Sequence, residues 1–207
     1  MVSLPHHPDV LIDSDDIVWA GRFPVQIVQF RHRRFDGALS GRRTWELWRR
    51  GRAAAVLPYD PWRDEVLLIE QFRLPALAAG VEPIMVEVPA GFCNGEEGAE
   101  AAARREVGEE AGVEVDLMTS IGDFLLSPGG SDERCALFVG RLKLDVNPLL
   151  GSGGLAAEHE DIRVVRLPAT EATSRALAGA YPNSVTTLAL LWLAAKRNQL
   201  RAEWAER

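Results

Sequence analysis

Cysteine is nearly absent from this chain: only Cys93 and Cys135 occur in 207 residues. Two thiols without CxxC spacing cannot make a disulfide framework, and both read as small buried hydrophobes or incidental thiols. Long apolar stretches are missing as well. The longest, Leu188 to Ala195, covers eight residues, far short of the ~20 needed to cross a bilayer. The first residues, MVSLPHHPDVLIDSDD, have neither the basic start nor the apolar core of an export signal. A cytoplasmic location with no membrane partner is expected. Nor is there an excess of basic residues. The 23 Lys and Arg face 30 Asp and Glu, a net charge of −7, which argues against a surface that tracks nucleic-acid backbones. The four histidines show no ligand spacing. What is present, 47% apolar with 26% charged residues, is the make-up of one folded domain with a small appendage rather than of a disordered chain.

The pattern of residues divides the chain near position 50. Before it, 25–31 and 44–48 alternate with the period of half-buried strands, and 36–41 is rich in turn-forming Gly, Asp and Ser. A small antiparallel β meander over 1–50 is expected. After it, 53–59 and 65–72 are apolar runs joined by the turn Asp60-Pro61-Trp62-Arg63-Asp64. Further short strands are expected at 84–88, 113–117, 123–126, 135–142 and 162–167. The stretch 145–161 reads as a long loop. Ala99 to Glu110 is the clearest helix, with Gly112 just past its end. Two more helices are expected at 171–178 and 184–204, the second capped by Asn183 or Ser184.

That clearest helix carries an acidic cluster. Glu106 and Glu110 stand four residues apart, so their side chains share one face at about 6 Å, with Glu109 beside them. Repulsion between like charges so placed costs only ~0.2–0.5 kcal/mol per exposed pair, and a solvated acidic face is a legitimate alternative. Hard divalent cations such as Mg²⁺, however, take several carboxylate oxygens together with substrate phosphate. The helix is entered through a glycine-bearing turn able to bring a backbone carbonyl to the same ion, which makes a metal site the better reading.

Gly91, Glu97, Arg105, Glu106, Val107, Glu109, Glu110, Gly112 and Val113 fill every fixed place of the Nudix box, GX5EX7REUXEEXGU with U aliphatic. The chain thus resembles the Nudix hydrolases, enzymes that cleave a nucleoside diphosphate linked to another moiety. The resemblance implies an α/β fold, an α/β/α sandwich with a mixed sheet over 51–207. It implies Glu106, Glu110 and the carbonyl of Ala90 as metal ligands, with Glu109 in the same cluster. It also implies Mg²⁺ as the cofactor, in two or more ions and replaceable by Mn²⁺. Gly91, Glu97, Arg105 and Gly112 are then structural parts of the motif, Arg105 and Glu97 bracing loop and helix by an ion pair.

Residues outside the box resemble the bacterial subfamily that acts on ADP-ribose. Pro128 stands sixteen residues beyond Gly112, and the stretches Ile69–Arg73, Glu87–Gly91 and Gly154–Ile162 are similar too. The activity implied is hydrolysis of ADP-ribose to AMP and ribose 5-phosphate. Another nucleoside diphosphate sugar such as GDP-mannose is the alternative substrate, and a non-cleaving ADP-ribose sensor is a third reading, disfavoured by the intact box carboxylates. Hydrolysis needs a base to deprotonate or orient water. A carboxylate on a glycine-rich loop suits that role, and the resemblance places it at Glu160, with Glu158 as the competing position and Glu109 as a second catalytic carboxylate. For substrate contacts the resemblance suggests Arg73 on the diphosphate, Trp45 stacking on adenine, and Glu133 near Pro128 holding a ribose hydroxyl or water. A homodimer joined through the N-terminal strands, which also shape the partner's nucleotide pocket, is the expected assembly.

Overall fold

The computed structural model describes residues 3–143, 153–154 and 160–205. They fall into two units, Met1–Gly51 with Leu125–Arg134, and Arg52–Phe124 with Cys135–Arg207.

The first unit holds a three-stranded antiparallel sheet in the order β1 (Val10–Trp19), β2 (Val25–His32), β3 (Arg43–Trp48). β1 was not expected, because its Ser-Asp-Asp run lacks strand composition. Pairing with β2 holds it, with register shifts at Ile12/Ser14 and Ile17/Trp19. Such bulges re-aim side chains. At the first of them Asp13 forms an ion pair with Arg31 at 2.6 Å. Residues 125–134 join this unit through Trp48, whose N–H donates to the Gly130 carbonyl at 2.8 Å, and through Asp132, which accepts from the Arg50 N–H at 2.7 Å.

The second unit is a seven-stranded sheet in the order β10 (Arg163–Pro168), β5 (Glu65–Phe72), β4 (Arg52–Asp60), β9 (Arg134–Leu142), β8 (Val115–Leu125), with β6 (Ile84–Glu87) on β5 and β7 (Ala90–Phe92) on β4. Helix α2 (Ala99–Ala111) covers one face, where Ala102, Ala103 and Val107 pack with Ala54, Val56, Leu67 and Ile69. The intervening residues Ala55, Leu57 and Leu68 are fully buried as well. Helix α4 (Ser184–Ala205) contacts β4, and α3 (Ala169–Leu177) contacts β10 and β5. A strand covered on both faces reads as an unbroken apolar run, which is why 53–59 and 65–72 lacked polar alternation. The second unit has the expected α/β architecture, and the first unit is the expected small antiparallel sheet.

Three local readings are corrected. The two short strands expected at 113–117 and 123–126 are one strand, β8. Within that strand Gly122 leaves room for the Phe124 ring, whose nearest atom stands 2.5 Å from where a Cβ would be. A short helix, α1 (Leu74–Ala78), with a proline in its first turn, follows β5 unannounced. β7 is also extra, three residues long and stitched to β4. The expected loop over 145–161 lies outside the described residues except for 153–154 and 160–161, and Glu158 and His159 lie outside them too.

Candidate active site

Burial of the alanine and valine stripe of α2 against β4 and β5 leaves Arg105, Glu106, Glu109 and Glu110 to project toward β7 and its surroundings. Gly112 in the left-handed conformation, at φ 64°, ends the helix directly after them. β7 lies antiparallel to β4 with Ala90 opposite Ala55 and Gly91 opposite Ala54. That pairing carries the Ala90 backbone to the C-terminal half of α2, where its N–H donates to Glu110 Oε2 at 2.8 Å. Gly91 is needed for its lack of a side chain. A Cβ there would stand 1.9 Å from Glu106 Oε1.

Arg105 is the hub of the cluster. Its guanidinium bonds Glu97 at 3.2 Å, Glu106 at 2.7 Å, Glu109 at 2.8 Å and the Phe92 carbonyl at 3.0 Å. These anions hold its proton more tightly than usual, Glu97 most of all. The Glu97 carboxyl is depressed in turn by Arg105 and by the Asn94 N–H. Glu106 and Glu110 go the other way. Burial raises the Glu106 carboxyl despite Arg105 and pushes Glu110 up to about 8, and Glu160 adds negative field at both.

Glu160 is seated by glycines. Gly154 donates to the Glu109 carbonyl at 3.0 Å, and a Cβ on Gly153 would stand 1.9 Å from the Glu110 carbonyl oxygen. Gly153 also bridges Ile162. Glu160 therefore lies next to a glycine pair that is fastened to the end of α2 carrying the glutamates. Across from it Arg73 follows β5, and a cavity of about 680 Å³ is lined by Gln71, Phe72, Arg73, Glu160, Asp161 and Arg163 among others.

The second unit thus brings Arg73, Ala90, Gly91, Glu97, Arg105, Glu106, Glu109, Glu110, Gly112 and Glu160 into one neighbourhood. The other three candidates lie in the first unit. Trp45 on β3 is 45% exposed, with the Phe30 ring edge-on at 5.3 Å and the Arg43 guanidinium over its face. Pro128 is exposed in the turn after β8. Glu133 pairs with Arg50, which lies over the rings of Phe23 and Trp48 at 4.3 and 4.5 Å. Two residues that fall within the stretches resembling the subfamily, but were given no role of their own, also lie at the site. Gln71 is 9% exposed with no partner for its Nε2 among the described residues, and Glu87 is 5% exposed. The signal was there: a polar or charged residue inside an apolar strand asks for a partner.

Among the described residues no three His, Cys, Asp or Glu side chains stand gathered as a ligand set, Arg105 holding Glu106 and Glu109. The donors present nevertheless fit a hard divalent cation. They are carboxylate and carbonyl oxygens without a soft ligand, and two of the carboxyls are buried beyond what the nearby cations offset.

Comparison with known proteins gives the family. The NUDIX domain model matches residues 49–188. An ADP-ribose pyrophosphatase of Escherichia coli (strain K12) is 40% identical over 197 residues, 95% of this chain and 93% of that protein. An ADP-ribose pyrophosphatase of Haemophilus influenzae is 36% identical over 199 residues, 95% of this chain and 91% of the relative. The crystal structure of an ADP compounds hydrolase superposes with a TM-score of 0.70 at 21% identity, covering 97% of this chain and 99% of its own, a likeness of fold. With the box glutamates on α2, the close approach at Gly91 and a domain match across most of the chain, this protein belongs to the Nudix family.

Proposed function

We propose that this chain is an Mg²⁺-dependent ADP-ribose pyrophosphatase that hydrolyses ADP-ribose with one water to AMP and ribose 5-phosphate. The observation that carries the reading is the pair of carboxylates on α2, Glu110 buried and Glu106 partly buried, set against the Ala90–Gly91 backbone and facing Arg73 and Glu160. Nudix hydrolases generally use divalent metal ions. Here Glu106, Glu110 and the Ala90 carbonyl would hold Mg²⁺ or Mn²⁺, in two or more ions with Glu109 assisting, and the metal would neutralise charge at the bridging phosphates.

The side chains of this chain do the rest. Arg73 clamps diphosphate oxygens with its guanidinium. Glu160 accepts a proton from the attacking water or orients it, next to Gly153 and Gly154, which pack on the end of α2. Arg105 shields the glutamates from one another and, with Glu97, fixes β7 to the helix. Trp45 is assigned to adenine stacking and Glu133, near Pro128, to a ribose hydroxyl or a water. The enzyme acts in the cytoplasm as a homodimer through its N-terminal strands.

Product analysis with Mg²⁺ and a panel of nucleoside diphosphate sugars tests this. AMP and ribose 5-phosphate from ADP-ribose, at a kcat/KM above that for GDP-mannose, is the expected result. Preferential release of GMP would make GDP-mannose the substrate, and no cleavage of any sugar nucleotide would overturn the reading.

A further inference from the structure

Arg73 is the end of a chain of hydrogen bonds that runs back into the buried body of the second unit. Its Nε donates to Glu87 Oε2 at 2.7 Å. The other oxygen of Glu87 accepts from Asn183 Nδ2 at 2.5 Å. Asn183 Oδ1 caps α4 by accepting the Thr186 N–H at 2.9 Å, and the fully buried Thr186 hydroxyl accepts the Val88 N–H at 3.0 Å. Val88 is the residue after Glu87, so the chain closes on itself. A carboxylate this deeply buried is costly unless both oxygens are satisfied, and here both are.

We infer that Glu87 is a positioning residue that holds the Nε edge of Arg73 so that the Nη edge faces the substrate diphosphate. The inference rests on the reading of Arg73 as the diphosphate contact. Three observations carry it. The backbone of Arg73 is already fixed, since its N–H donates to the Pro83 carbonyl at 2.8 Å and its carbonyl accepts from Ala76 and Leu77. Its Nη groups take no hydrogen bond among the described residues, and the side chain lines the cavity that Glu160 also lines. A guanidinium is planar, so occupying Nε with a fixed carboxylate sets the plane in which the two Nη donors can meet phosphate oxygens bidentately. Asn183 therefore does more than cap α4. It ties the helix N-terminus to the orientation of the substrate-facing arginine, a long-range link between residues 87 and 183 that neither segment shows alone.

The test is a double-mutant cycle on the full chain with Mg²⁺: wild type, E87Q, R73A and E87Q/R73A. Affinity for α,β-methylene-ADP-ribose is measured by calorimetry, together with kcat and KM for ADP-ribose and the melting temperature. Glu87→Gln keeps shape and removes the charge. It should weaken analogue binding by about tenfold, raising KM more than it lowers kcat. The double variant should bind no worse than R73A alone, because without the guanidinium there is nothing left to aim. Losses that multiply instead of merging overturn the inference.

A second readout does not need the substrate. The Arg73 Nε–H signal in ¹⁵N NMR, assigned by its disappearance in R73K, should be protected from exchange in wild type and lose that protection in E87Q. Retained protection overturns the inference whatever the protein binds. A protected signal in a wild type that neither binds the analogue nor cleaves ADP-ribose would instead overturn the functional reading and leave the positioning intact. If E87Q fails to fold, N183A, which frees the other Glu87 oxygen, takes its place in both experiments.

Discussion

The carboxylate of Glu106 lies directly over the Cα of Gly91, so close that a methyl group on Gly91 would stand 1.9 Å from Oε1 and 2.1 Å from the carboxyl carbon. The obstacle is the far end of a flexible side chain, held by Arg105 at 2.7 Å. Gly91→Ala should therefore move Glu106 and spare the backbone. We expect a protein that folds with a melting temperature within a few degrees of wild type but loses turnover by about 10² or more, since a misplaced ligand costs far more in rate than in stability. Circular dichroism melting alongside an ADP-ribose assay checks this. A stable, fully active G91A enzyme would mean that the carboxylate of Glu106 is not needed where it lies.

Glu110 gives a signed pH dependence. Its carboxyl is pushed by burial up to about 8 from an ordinary value of 4.5. Between those values the unfolded chain has released the proton that the native chain still holds, so stability of the metal-free protein falls as pH rises from about 5 to about 8. Above pH 8 the native state carries a buried charge and the full penalty. Glu110→Gln should remove this slope, raise the metal-free melting temperature at pH 8 by on the order of 5 °C, and abolish most turnover. Mg²⁺ should stabilise wild type more at pH 8 than at pH 5, and E110Q much less at either. Calorimetric scans across pH with EDTA or Mg²⁺ decide it. A wild type that grows more stable across that window in EDTA, or a fully active E110Q enzyme, contradicts the assignment.

Glu160→Gln separates a base from a loop decoration. If the carboxylate takes the proton of the attacking water, kcat should fall on the order of 10²–10⁴ with little change in analogue affinity. If it only decorates the loop, kcat should change less than a few-fold. Steady-state kinetics beside calorimetric binding distinguish the two. A normal rate would move the role to Glu158 or Glu133.

Much of this site is written in local sequence because one helix and the turn before it carry it. Arg105, Glu106, Glu109 and Glu110 fall on one side of α2 through helical periodicity alone, and the glycines at 91 and 112 mark a close approach and a stop. Strands β4 and β5 were legible for a similar reason, burial on both faces leaving unbroken apolar runs. What stayed hidden depends on distant partners. β1 exists because β2 pairs with it, not because Ser14-Asp15-Asp16 favours extension. β8 runs through Gly122 because an aromatic ring two residues on fills the space. Glu87 looked like one residue in a short strand until Asn183, 96 positions away, was found against it.

Assembly gives the last test. The first unit exposes Trp19 at 65%, Trp45 at 45% and Trp48 at 43% of their surfaces, together with Ile12 and Ile17 on β1. A three-stranded sheet is near the lower limit of independent stability, and apolar residues concentrated on one are typical of partner surfaces. A second copy of the chain is the simplest cover, because a two-fold axis lets the same patch serve both subunits. Light scattering at micromolar concentration should report about twice the 22.8 kDa chain mass. Replacing Trp19 and Ile17 together by Gln and Thr should shift the protein toward monomer. If the N-terminal strands also shape the partner's nucleotide pocket, ADP-ribose affinity should fall in proportion to the loss of dimer, and raising protein concentration should restore both. A wild type that scatters as a monomer with full activity would show that the pocket is built within one chain and that the tryptophans serve another purpose.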